Sequence, residues 1–93
     1  MNAKALTGQA WQRPVRQIPA ANQKMLGRQV AEQTITAQAN AGMPAERIAW
    51  VQEEISARAL SEATTRQAQA FAREYDWTAS ILTRELADME AGE

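Results

Sequence analysis

The chain reads as all-α, and three observations predict it. From Pro44 to about Met89 there is no further Gly or Pro and no cluster of turn residues. The same stretch is rich in Ala, Gln, Glu and Arg, which lose little entropy in a helix, and poor in β-branched residues. Glu54, Arg58, Glu62 and Arg66 then form a row at a spacing of four. Residues four apart are neighbours on a helix, and each opposite-charge pair adds about 0.2–0.5 kcal/mol. The expected architecture is an extended N-terminal arm (residues 1–19), then a helical region (20–93). That region holds a short helix and one long helix forming a helical hairpin and dimerising through the long helices.

The arm comes first. Gly8, Pro14 and Pro19 interrupt any helix there, and each Pro pushes its predecessor toward extended backbone. Leu6, Trp11, Val15 and Ile18 nevertheless supply large apolar groups, with Arg13 and Arg16 between them. Trp and Arg are the types most enriched at binding hot spots, so Trp11, Arg13, Val15, Arg16 and Ile18 are candidate partner-binding residues. The alternative is that Trp11 folds back onto the chain's own helices.

The short helix is expected to begin between Pro19 and Asn22, with Asn22 as N-cap candidate, and to run to Ala41. Gly42 is its left-handed stop. Leu26, Val30, Ala37 and Ala41 make a thin stripe, and Ile35 is expected to point away from it. Gly42-Met43-Pro44 is too short for anything but a reversal. Pro44 suits the first position of the long helix and Glu46 its first turn. Ile48, Val51 and Ile55 are expected to face the short helix.

The long helix is read as continuous for roughly 45 residues, about 68 Å at 1.5 Å per residue. Leu60–Thr65 is the one place where it would break, with Thr64-Thr65-Arg66-Gln67 as a possible capping box. Beyond it runs a second stripe of Leu60, Phe71, Tyr75, Thr78, Leu82, Leu86 and Met89. With no segment left to cover it, an apolar patch of several hundred Å² would be exposed. These seven residues are therefore the candidate dimerisation face, with two long helices packed antiparallel. Trp50 and Trp77 lie off their local stripes. With Tyr75 they are further candidates for contact with another protein.

Charge and missing residue types exclude several functions. Residues 1–28 hold Lys4, Arg13, Arg16, Lys24 and Arg28 and no acid; from residue 29 there are eleven acids against five Arg. Such asymmetry suits a partner met by charge complementarity. The chain has no Cys and no His, which removes thiolate chemistry, the commonest general base and the commonest transition-metal ligand. Ser56, Ser61 and Ser80 lack an activating base, and Glu53-Glu54 and Glu85/Asp88 read as solvated acids. No Gly-rich phosphate loop or zinc spacing is present. Neither an enzyme nor a cofactor or metal is expected. Nor is direct nucleic-acid binding, because the basic charge is sparse and the body acidic. No apolar run of transmembrane length exists, so no membrane partner and a cytoplasmic location are expected.

In size, helical composition and lack of catalytic equipment, the chain resembles small phage- or prophage-borne regulators. These include antirepressors, anti-CRISPR proteins and other host-takeover inhibitors. The resemblance is one of type and rests on no motif. It implies a non-enzymatic homodimer that inhibits or remodels a partner protein, such as a DNA-binding repressor. The rival expectations are a structural or adaptor subunit of a phage or secretion assembly, and a small nucleic-acid binder using the basic arm.

Overall fold

The computed structural model describes residues 20–92. They form α1 (Ala20–Asn40), α2 (Ala45–Glu62) and α3 (Arg66–Ala91), with no strand among the described residues. The arm, and the site residues assigned to it, lie outside them.

The stop of α1 follows from its glycine. Gly42 has φ +89°, a left-handed conformation that Gly adopts without steric cost. The Met43 N–H donates to Gln38 O at 3.1 Å, and the Gly42 N–H to Ala39 O at 3.0 Å. This is the Schellman arrangement, and Met43 adds its hydrophobic contact against the core. Helix α1 already includes Asn22 in its first turn, so Asn22 is not the N-cap. Pro44 is the N-cap of α2 rather than its first residue. The first N–H of α2, on Ala45, donates to the Glu90 carboxylate at 2.6 Å, which ties the end of α3 to the start of α2.

The expected single long helix is two. Helix α2 ends at Glu62, Ala63 turns to extended backbone, and Thr65 caps α3. The Thr65 Oγ1 accepts the Ala68 N–H at 3.0 Å. Such a cap contributes about 1 kcal/mol. The cap is Thr65 with Ala68, one position on from the Thr64–Gln67 box. The charged row is cut accordingly: Arg58–Glu62 survives at 3.9 Å, while Arg66 falls beyond the turn.

The break sends α3 back along the other two helices. Ala45 meets Glu90 and Gln52 meets Tyr75, so α2 and α3 run antiparallel. Arg28 meets Glu74 at 2.8 Å, and Ala39 shares a cavity wall with Leu86, so α1 and α3 run parallel. The result is an up-down-up bundle about 43 Å long. The α1–α2 hairpin expected from the short link is not the main packing unit. Helix α1 lies chiefly against α3, and so does α2.

The core is built from small residues and a few large ones. Val30, Ile35, Ile48, Phe71 and Tyr75 are packed among Ala31, Ala59, Ala63, Ala68, Ala72 and Ala79. The Phe71 and Tyr75 rings stack with centroids 6.3 Å apart. At Gly27 the backbones of α1 and α3 come so close that a Cβ would meet Phe71 O at 2.6 Å. Ile35, expected to point away, is buried, whereas Ala37 and Ala41 are exposed. The buried face of α1 is Gln23, Gly27, Val30, Ala31 and Ile35 rather than the Leu/Val/Ala stripe.

Candidate protein-contact face

The residues assigned to a dimer face are mostly used inside one chain. Phe71, Tyr75 and Thr78 are buried, and Leu82 and Leu86 are half-buried against the core. Only Leu60 and Met89 remain exposed. The stripe does not need a second copy to cover it, because α1 and α2 pack against α3 within one chain.

Tyr75, assigned as a contact residue, is 1% exposed. Its hydroxyl donates to Gln52 Oε1 at 2.6 Å, and Gln52 Nε2 donates to Gln38 Oε1 at 3.0 Å. The Thr34 side chain also hydrogen-bonds the phenol. One buried polar chain thus joins all three helices and fixes their register. Burial pushes the Tyr75 pKa up to about 12, against the lowering effect of the Thr34 and Gln52 hydrogen bonds.

Trp50 and Trp77 are the opposite case, each 58% exposed. Trp50 lies two residues from buried Ile48 and Gln52, and Trp77 two from buried Tyr75 and Ala79. At about 100° per residue, two steps turn a side chain to the far side of the helix. Both indoles therefore stand outward. On α2 the exposed stripe is Glu46, Trp50, Glu53 and Ala57; on α3 it is Arg73, Trp77, Ser80 and Arg84. The two stripes share one 4-3-4 spacing, acidic on α2 and basic on α3.

Between them runs an open groove of about 390 Å³. Its wall is mostly small: Ala49, Ser56, Ala79, Ser80, Thr83 and Ala87, with Glu53, Asp76 and Arg84 also lining it. Two of the hydroxyls are already satisfied by their own helix. Ser80 Oγ donates to Asp76 O at 2.9 Å, and Thr83 Oγ1 to Ala79 O at 2.8 Å. Covering Ser80 and Thr83 with an apolar group would leave neither donor unpaired, which lowers the cost of burying them. The sequence reading did not find the groove, whose signal is weak: Ala49 and Ser56 seven apart on α2, and Ala79, Ser80, Thr83 and Ala87 three to four apart on α3.

No group of His, Cys, Asp or Glu able to hold a metal occurs among the described residues, and no described helix is long and apolar enough to cross a membrane. No protein-family model, curated protein or solved structure matches the chain.

Proposed function

We propose that this chain is a non-catalytic binding protein that acts by occupying a surface on another protein, with the outward face of α2 and α3 as its contact surface. The observation that carries the reading is the pair of exposed indoles, Trp50 and Trp77, on two stripes that edge a groove in which the Ser80 and Thr83 hydroxyls are already paired. Trp is the residue type most enriched at interface hot spots. A solitary exposed apolar residue calls for no explanation, but two Trp on one face of a small bundle do. Regulation of a partner by occlusion is the activity this equipment suits. The charge favours protein over nucleic acid: residues 20–92 carry seven Lys and Arg against ten Asp and Glu. An excess of acid repels a phosphate backbone.

Photo-crosslinking in cells tests the reading. A benzophenone side chain is placed at Ala57 or Ser80, on the face, and at Thr36, on the outer side of α1, as control. Protein adducts are expected at Ala57 and Ser80 and not at Thr36. Equal yields at all three positions, or none at the face, would refute it.

A further inference from the structure

We infer that the occupant of the Trp50–Trp77 face is a second copy of this chain, related by a two-fold axis that runs along the bundle and sets α2 of each copy over α3 of the other. The inference rests on the reading of that face as a protein contact surface and names what covers it in the absence of another partner.

Charge selects both the partner and the arrangement. The α2 stripe carries Glu46 and Glu53, and the α3 stripe carries Arg73 and Arg84. None of these four takes part in the ion pairs Arg28–Glu74 and Arg58–Glu62. One face thus bears Glu46 and Glu53 on α2 and Arg73 and Arg84 on α3, with Asp76 between the two Arg at the groove, and the net charges of the two stripes are of opposite sign. Two-fold pairing of such a face has only two helix arrangements. An axis across the bundle stacks α2 on α2 and α3 on α3, which opposes like charges. An axis along the bundle stacks α2 on α3 twice, which brings Arg84 toward Glu46 and Glu53 at both contacts and closes the assembly at two chains.

The second arrangement also fits the register of the helices. Helices α2 and α3 are antiparallel, with Ala45 beside Glu90 at one end and Gln52 beside Tyr75 further along. Rotation about an axis along the bundle keeps each level unchanged. Arg84 of one copy then falls between Glu46 and Glu53 of the other, one helical turn or so from each. Trp77 of one copy then lies near the level of Trp50 of the other, so the exposed indoles fall within the contact. Both copies also enter α1 at the same end of the pair.

Light scattering coupled to gel filtration tests this at roughly 100 µM, where mass action favours association. The wild type should run at twice the 10.3 kDa chain mass. Arg84→Glu, and separately the pair Glu46→Arg with Glu53→Arg, should each drop to the single-chain mass while keeping the helical circular dichroism of the wild type. The triple variant, with all three charges reversed, should pair again. Trp77→Ala should run as a single chain. A wild type at the single-chain mass overturns the second-copy inference but not the contact-surface reading, which crosslinks from Ala57 and Ser80 to other proteins would still support. Charge variants that all stay paired, or a triple variant that stays single, place the contact elsewhere and overturn the inference equally.

Discussion

Replacing Gly27 by alanine sets two physical effects against each other, and the structure says which one wins. Local propensity favours the change: Ala is better than Gly inside a helix by about 1 kcal/mol. Gly27 lies well inside α1, so that gain is available. Packing opposes it. The new Cβ would stand 2.6 Å from Phe71 O and 3.3 Å from the Glu74 Cβ. A carbon normally approaches a carbonyl oxygen no closer than about 3.3 Å, so a retreat of about 0.7 Å is required. The obstacle is main chain of α3 and cannot swing aside as a side chain would. Helix α1 must lift away from α3, its chief neighbour, and loosen the contacts of Ala31 and Val30 with it. Overpacking of this kind costs about 1–3 kcal/mol, and a main-chain clash belongs near the top of that range. The expected net effect is a loss of about 1–2 kcal/mol. Urea denaturation followed by circular dichroism measures it: the midpoint should fall with the slope unchanged. Gln29→Ala, on the exposed side of the same helix, is the control and should be neutral or slightly stabilising. A Gly27→Ala protein more stable than wild type would mean that α1 and α3 do not cross closely at this point.

Tyr75 is the only tyrosine, so its ionisation can be followed at 295 nm without overlap from another phenol. With the folded pKa near 12 and the unfolded value near 10, stability is intact below pH 10. It is lost as pH rises toward 12, by on the order of 2 kcal/mol across two units. The absorbance should stay flat until well above pH 10, and a midpoint at 10 would mean the ring is not buried. Thr78 Oγ1 is buried without a hydrogen-bond partner. Thr78→Val should therefore raise stability by about 1 kcal/mol in the same urea assay, since it removes an unpaired polar atom at nearly constant volume. A loss instead would show that the hydroxyl is bonded in solution.

Helix ends proved more legible than helix faces. The stop of α1 was written in Gly42 and Pro44, whose backbone constraints hold in any context. The turn at Ala63–Thr65 carried a weaker signal, since neither Thr forbids a helix and the flanking Glu/Arg row favours continuing one. What decides there is tertiary: by ending α2, the chain gains burial for Phe71, Tyr75 and Ala72, an effect that no local window contains. The face of α1 was misread for a related reason. Searching for Leu and Val stripes finds cores built on bulk, whereas this core relies on close approach at Gly27 and Ala31 and on a polar chain through Gln38, Gln52 and Tyr75. In such a core Gln23 and Gln52 are inside and Ala37 is outside. Trp50 and Trp77 were placed off the apolar stripes by phase alone, and both are exposed. Arm residues Trp11, Arg13, Val15, Arg16 and Ile18 fall outside the described part of the chain.

The return of α3 alongside α2 underlies the buried tyrosine, the groove and the outward indoles alike. A distance between residues 46 and 88 tests it most directly. The chain has no cysteine, so Glu46→Cys and Asp88→Cys carry spin labels without background, and dilution into unlabelled protein isolates distances within one chain. Neighbouring helix axes lie about 10 Å apart, so with the label arms a separation below about 25 Å is expected. A single unbroken helix would set the two labels roughly 63 Å apart at 1.5 Å per residue, and a distribution centred there would contradict the fold and all that is built on it.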